Sequence, residues 1–307
     1  MIAVIVNPRA ADGRSGRRWT ALRPQIEATL GPLEVFETRA PHHAIELARA
    51  ALRQGARTII AVGGDGTVSE VVNGFFENAR PVAADAVLGI IPQGTGSDLC
   101  RTLGLPLEER AALEVIRRGA TRRIDLESAR FETLEGRPGQ RLGVNIASFG
   151  MGGLVAARAN RASKWLGGKA LFQWTTLRTA LTFRGATVRL RLDGKALPPV
   201  KITNVAVGNA QFHGAGMWAC PRAVVDDGLL DVTVFRYLTL LEIVGAFPRL
   251  YNGKIYEHPK VEFHRAQRVE AAADEPAYLE VDGEPVGRLP LEITVLPRAL
   301  AVYVPVA

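Results

Sequence analysis

The sequence predicts two domains: an N-terminal doubly wound α/β domain and, after it, an all-β, sandwich-like domain. Three observations carry this expectation. Over about the first 125 residues, short β-branched runs alternate with segments whose apolar residues recur at helical spacing, as in a parallel sheet covered on both faces. Two of those runs end in glycine-rich turns, Gly63-Gly64-Asp65-Gly66-Thr67 and Gly94-Thr95-Gly96-Ser97-Asp98. Beyond Ile124-Asp125 the pattern changes to short β-rich segments separated by turn residues.

Taken in order, Ile2–Val6 reads as the first strand and runs into Asn7-Pro8-Arg9-Ala10 and a loop holding Gly13 and Gly16. Trp19–Leu30 follows as a helix, Leu33–Glu37 as the second strand with Thr38 at its end, and His43–Gln54 as a helix closed by Gly55. Thr58–Val62 is a buried strand, and Val68, Val71 and Val72 open the next helix at helical spacing. Ala86–Ile91 and Leu107–Gly119 complete the alternation. The first domain is placed at 1–125, with 297–307 as a candidate to complete it, and the second at 126–296. Within the second, strands are expected at Leu142–Ile146, Thr187–Leu192, Val200–Val207, Leu229–Phe235, Val261–Val269, Tyr278–Val281 and Leu291–Leu296, interrupted by a helical insert, Leu154–Phe183.

A strand, a glycine turn and a helix start mark the ligand-binding edge of an open α/β sheet. Glycines let the backbone approach a phosphate, and amides at a helix N-terminus point at negative charge. Asp65, set among them, would repel a phosphate unless a divalent cation lies between, which is the arrangement of metal-bridged phosphoryl transfer. A second loop of the same kind on the same sheet edge is hard to assign to turn chemistry alone. Neither loop matches G-x-x-x-x-G-K-[ST].

Composition excludes several classes. A hydrophobic content of 47% with 22% charged residues describes a globular chain with no low-complexity tract. The N-terminal apolar run is too short for a signal peptide. The most apolar long window, Leu229–Phe247, carries Asp231, Arg236 and Glu242 and does not read as a bilayer span. Cys100 and Cys220 have no metal spacing, so a reducing, cytoplasmic compartment is expected. The net charge of +7 is concentrated: Met151–Lys201 holds ten Lys or Arg and a single acid, Asp193. Such a field attracts phosphates, in nucleic acid or on a lipid surface.

In the second domain, Val224-Val225-Asp226-Asp227-Gly228-Leu229 and Asp282-Gly283-Glu284 are first of all turns, Asp-Gly being a common type I′ pair. The functional reading puts Asp282 and Glu284 in an interdomain cleft, where one carboxylate accepts the proton of an attacking hydroxyl and the other helps to hold Mg²⁺.

Together G-G-D-G-T, the G-T-G-S-D loop leading into Leu99-Cys100-Arg101, Asn7-Pro8, Val207–Gly216 and the D-D-G and D-G-E turns resemble the diacylglycerol-kinase catalytic-domain family, lipid kinases that include sphingosine and ceramide kinases. NAD kinases and phosphofructokinases share the first glycine loop alone. Three positions depart from the family: Ser97 stands where it has Asn, Cys100 where it has Ala, and His42 where a Gly follows the threonine. The resemblance implies an NAD kinase/diacylglycerol kinase-like two-domain architecture. It implies ATP at Asn7, Thr38, Gly63, Gly64, Asp65, Gly66, Thr67, Gly94, Thr95, Gly96 and Asp98, with Asp282, Glu284 and Asp65 as catalytic carboxylates. It also implies a structural Mg²⁺ on the Asp227 carboxylate and the carbonyls of Val224 and Leu229. Whether Asp282 or Asp65 is the base stays open, since sphingosine kinases are described with the glycine-loop Asp in that role.

The function expected is an ATP-dependent, Mg²⁺-requiring kinase of a lipid hydroxyl: a diacylglycerol, a phosphatidylglycerol or a sphingoid base. Its partner would be an anionic membrane surface, met peripherally from the cytoplasm by the insert through Arg158, Arg161, Lys164, Trp165, Leu171, Phe172 and Trp174. No nucleic-acid recognition motif accompanies the basic field, and a homodimer is left open. The alternatives are an NAD-kinase-like enzyme with a soluble substrate and a nucleotide-binding membrane regulator without catalysis.

Overall fold

The computed structural model describes residues 1–10, 13–161 and 168–306, and divides into two compact units, Met1–Ile124 with Arg298–Ala307, and Asp125–Pro297.

The first unit alternates β1 (Ile2–Val6), α1 (Arg14–Leu30), β2 (Leu33–Glu37), α2 (His43–Arg53), β3 (Thr58–Gly63), α3 (Asp65–Gly74), β4 (Val87–Pro92), α4 (Asp98–Leu103) and α5 (Glu109–Arg118). The strands form a parallel sheet in the order β2-β1-β3-β4, with Ile2 opposite both Leu33 and Thr58, and Thr58 opposite Val87. Ala301 and Val302 near the C-terminus add a further parallel strand beside Val87 and Leu88. The β-branched runs are buried on both faces, as the near-continuous apolar character of β1 and β3 requires. Trp19, Leu22 and Ile26 of α1 and Leu113 and Ile116 of α5 cover one face over Val4, Val6, Ile60, Val62 and Ile91.

Helix α1 starts earlier than its apolar periodicity suggests. Gly13, at φ 79°, turns the chain, and the Ser15 amide bonds back to Ala10 O, so the polar stretch from Arg14 already belongs to the helix.

The second unit is antiparallel: β5 (Thr121–Glu132, entered from the first unit), β6 (Pro138–Gly143), β7 (Ile146–Gly150), α6 (Met151–Arg161), α7 (Gly168–Thr182), β8 (Ala186–Leu192), β9 (Val200–Gly208), β10 (Leu230–Arg236), α8 (Leu240–Ala246), β11 (Val261–Ala266), β12 (Arg268–Ala273), β13 (Tyr278–Val281) and β14 (Glu284–Tyr303). Strand β9 pairs with β7, β8 and β10, β13 joins β7 to β14, and β12 joins β14 to β8. The core lies between these strands, around Phe149, Val188, Leu190, Val205, Val232, Leu279 and Ile293.

Four segments differ from their sequence expectation. The run 142–146 is two strands, because the amides of Val144 and Asn145 leave the ladder to bind the Asp282 carboxylate. The run 261–269 breaks at Gln267, whose amide, like that of Arg268, turns to Asp193 Oδ1. The helical insert starts earlier, at Met151, and its described parts are α6 and α7, with Lys164 and Trp165 outside the described residues, as are the side chains of Arg161, Leu171 and Phe172. Helix α8 falls in the window read only as apolar. Its N-terminus is a capping box, in which Thr239 Oγ1 accepts from the Glu242 amide and Glu242 Oε2 from the Thr239 amide.

Candidate active site

The expected nucleotide residues of the first unit converge at one place, the carboxyl ends of the parallel strands. Thr38 ends β2 and bonds through its amide to Val6 O, beside Asn7 at the end of β1, whose amide bonds to Val62 O on β3. Asn7 Nδ2 donates to Thr67 Oγ1 over 3.1 Å, linking the first strand to the first turn of α3. The Gln93 amide bonds to Gly63 O, fixing the second loop against the first.

Why both loops need glycine follows from their contact. A Cβ on Gly94 would lie 2.6 Å from Gly64 Cα, and one on Gly63 would lie 2.5 Å from Thr67 Oγ1. At Gly94 the loops touch backbone to backbone and a side chain would drive them apart, whereas one at Gly63 would displace Thr67 within its own loop. Asp65 then locks them. Its Oδ2 accepts from the Ser97 amide and its Oδ1 from the Asp98 amide, each at 2.7 Å. Burial raises the Asp65 pKa, the Asp98 charge raises it further, and the amides of Asp98 and Ser97 oppose both. Arg101 folds back so that Nε donates to Gly96 O at 3.1 Å.

Ser97, at φ 53° and ψ 45°, is in the left-handed region, where Asn is several-fold favoured over other non-glycine residues. The departure from the family's Asn is therefore tolerated with some backbone strain. His42, at φ 65°, is likewise in the left-handed region that favours glycine, and its amide donates to Glu70 Oε1 at 2.9 Å.

The second unit carries the other carboxylates. Asp282 (φ 52°) and Gly283 (φ 85°) form the left-handed pair of a type I′ turn between β13 and β14. The Asp282 carboxylate accepts from the Val144 amide at 3.1 Å and the Asn145 amide at 2.9 Å, which fixes its orientation. Glu284 opens β14, two residues on.

Sequence reasoning missed what lies behind this turn. Glu280 is buried, accepts from Ser148 Oγ at 2.5 Å and from the Gly283 amide at 2.6 Å, and lies 4.0 Å from His213 Nδ1. Burial pushes its pKa up to about 7 against those two hydrogen bonds. Glu127 is fully buried, accepts from the Asn209 amide at 2.9 Å, and is held well above the ordinary carboxylate range by burial and then by the charge of Asp282. The only signal in the sequence was an acid at an inward position of each strand.

Asp125 is structural. Its Oδ2 accepts from the Gly228 amide at 2.7 Å, and its backbone pairs with Val225 and with the Asn209 side chain. The same loop bears the implied structural metal site. There Asp227 Oδ1 accepts from the Leu229 amide at 3.0 Å, and Oδ2 is paired with the Arg265 guanidinium, which also reaches Asp231 at 3.0 Å. A divalent ion would have to displace Arg265, so Val224, Asp227 and Leu229 do not fit one as they stand. Among the described residues, no group of three His, Cys, Asp or Glu side chains is arranged to enclose a metal. At the loop edge the Asp98 charge lies close enough to Asp65 to raise its pKa, and a divalent ion there would bring water and phosphate oxygens with it. Both cysteines are buried, and burial raises both thiols, Cys100 to about 12, which rules out thiolate chemistry at neutral pH.

A doubly wound unit with two phosphate-type loops, joined to a β unit presenting D-G-E, defines a two-domain phosphotransferase of the NAD kinase/diacylglycerol kinase type. Comparison with known proteins agrees. Residues 1–129 match the diacylglycerol kinase catalytic domain, and residues 145–304 match the YegS C-terminal NAD kinase beta sandwich-like domain. The diacylglycerol kinase of Mycobacterium tuberculosis (strain CDC 1551 / Oshkosh) is 33% identical over 86% of this chain and 82% of its own length. A "Probable lipid kinase YegS-like" of Chromohalobacter salexigens is 30% identical over 85% of this chain and 80% of its own. A diacylglycerol kinase from Bacillus anthracis str. Sterne has the same fold, with a TM-score of 0.72 at 22% identity, over 99% of this chain and 96% of that one. An NAD kinase from Archaeoglobus fulgidus is a more distant likeness of fold, with a TM-score of 0.51 at 17% identity. The chain belongs to the diacylglycerol kinase family and is a lipid kinase.

Proposed function

We propose that this enzyme transfers the γ-phosphoryl group of ATP to the hydroxyl of a diacylglycerol-like lipid at the cytoplasmic surface of a membrane, with Mg²⁺. The observation that carries the reading is the Asp65 clamp, which holds two glycine loops and their amides at the ends of the parallel strands. Those amides, with Asn7, Thr38 and Thr67, present the donor side of a phosphate site.

Asp282 is the proposed base: the Val144 and Asn145 amides keep its carboxylate oriented to take the proton of the acceptor hydroxyl. Asp65, whose two oxygens hold the Ser97 and Asp98 amides at 2.7 Å and so join the second loop to the first, serves as the clamp. Mg²⁺, when bound with the nucleotide, would neutralise charge developing on the phosphoryl oxygens, with Asp98 beside the glycine loops as a protein carboxylate toward it. No helix of the described residues is long and apolar enough to cross a membrane, so contact with lipid would be peripheral.

The test is transfer of radiolabel from γ-labelled ATP to a panel of diacylglycerol, phosphatidylglycerol, sphingosine and NAD. Label on diacylglycerol above all others is expected, and label on NAD alone would overturn the reading.

A further inference from the structure

Among the described side chains of its second half, helix α7 buries threonines and exposes apolar residues. Thr175 and Thr179 are buried together with Ala180, Thr182 is exposed at the helix end, and Arg158 of α6 donates from Nη1 to the hydroxyls of Thr179 (3.2 Å) and Thr182 (3.1 Å). Its outward stripe is Trp174, Arg178 and Leu181, at i, i+4 and i+7, with Trp174 59% and Leu181 63% exposed. A helix of a water-soluble surface has the reverse arrangement.

Helix α8, which packs against α7, repeats the exposure. Its one charged residue, Glu242, is occupied by the Thr239 cap and by Lys260 Nζ at 2.6 Å. Leu241, 84% exposed, and Val244 point outward one turn apart, and Tyr251 follows beyond the helix end. Half of the ten large apolar residues exposed among the described residues thus lie on these two helices and the turn after α8. That is clustering rather than scatter. Arg178 is exposed on α7, and Arg184 and Lys254 are exposed in the chain beyond the two helices, with Glu257 the exposed acid nearby, so basic residues outnumber acids beside the apolar face.

We propose that the outward faces of α7 and α8 form the surface by which this protein docks on an anionic bilayer. Trp174, Leu181, Leu241 and Val244 enter at headgroup depth, and Arg178 snorkels to lipid phosphate. The occupant is a membrane because the apolar anchors and the basic residues beside them together complement an anionic lipid surface. The inference rests on the lipid-kinase reading only for bringing the protein to lipid. It also moves the docking face: Arg158, engaged with the threonines, works inside the helical pair, and α8 contributes as much as the insert.

The test is co-sedimentation with phosphatidylcholine vesicles, with and without phosphatidylglycerol. Wild type binds the anionic vesicles and releases as salt rises, and brominated lipid quenches its tryptophan fluorescence. Leu241→Ser with Val244→Ser lowers the partition at least about tenfold, and Trp174→Phe removes most of the lipid quenching. Both variants keep wild-type turnover on a short-chain diacylglycerol dissolved as monomer. Unchanged vesicle binding by the double variant overturns the proposal, as does a wild-type dimer that this variant converts to monomer, since the face would then belong to a second copy. Vesicle binding that persists with no transfer to any lipid supports the surface and sinks the kinase reading instead.

Discussion

Asp65 and Ser97 are joined by a 2.7 Å hydrogen bond from the Ser97 amide to Asp65 Oδ2, and the neighbouring Asp98 amide reaches the other oxygen at the same distance. An acid that would repel phosphate if it faced one is instead the pin between two loops whose amides attract it. Asp65→Asn keeps one acceptor oxygen and sets an NH₂ against the second amide. Since a hydrogen bond to a charged group contributes about 1.5–3 kcal/mol, the affinity for a non-hydrolysable ATP analogue is expected to fall at least about tenfold by calorimetry. Lost turnover with nucleotide affinity intact would return the role of base to Asp65.

Ser97→Asn is expected to stabilise the protein. The position is left-handed, which costs an ordinary residue about 1 kcal/mol and Asn less. A melting temperature higher by roughly 1–3 °C is expected for a gain of this size. Ser97→Ala, with the same strain and no compensating side chain, should gain nothing. A lower melting temperature for the Asn variant would mean that Ser97 Oγ makes a contact worth more than the strain.

The two glycine loops and the order of the parallel strands were legible because both rest on local rules: branched runs for buried strands, glycine where backbones meet. The positions of Asp282 and Glu284 were legible as a turn for the same reason. What the sequence hid depends on partners distant along the chain. Nothing within a few residues of Asp65 announces Ser97, and nothing near Asp227 announces Arg265. Glu127 and Glu280 read as ordinary strand acids, because alternation gives the face of a residue and not whether that face is wet. Helix α8 had a readable start, Thr239-x-x-Glu242, but too few turns for its periodicity to stand out.

Asp282→Asn is expected to lower kcat by roughly 100-fold or more, the scale of a lost general base, with ATP affinity unchanged. The Val144 and Asn145 amides would still find the side-chain oxygen, so the turn should persist. A variant that turns over like wild type removes Asp282 from the chemistry.

Arg265 holds the loop that the family resemblance gives to a metal. The melting temperature of the wild type is therefore expected to be the same in Mg²⁺ and in chelator. In Arg265→Gln the Asp227 and Asp231 carboxylates lose their common cation, so the protein should melt earlier and Mg²⁺ should restore part of the loss. A wild type that chelator destabilises by several degrees would place the ion there despite Arg265.

Glu280 makes stability depend on pH in a direction that can be worked out. Burial raises its folded pKa to about 7, whereas a glutamate carboxyl in the unfolded chain titrates at about 4.5. Between those values the unfolded chain has released the proton and the folded protein still holds it. Folding therefore carries a proton-uptake cost that grows as pH rises from 4.5 to 7 and is constant above. Glu280→Gln has no such titration and keeps an acceptor for Ser148. The stability of wild type relative to this variant should thus decline through that window, by up to about 3 kcal/mol. His213, 4.0 Å away, is shifted downward by burial and titrates in the opposite sense, but it is present in both proteins and cancels from the difference to first order. Urea unfolding of both proteins at half-unit steps of pH gives the two curves. If they run parallel from pH 4.5 to 7, Glu280 is ionised in the folded protein throughout, and its bonds from Ser148 and Gly283 outweigh its burial.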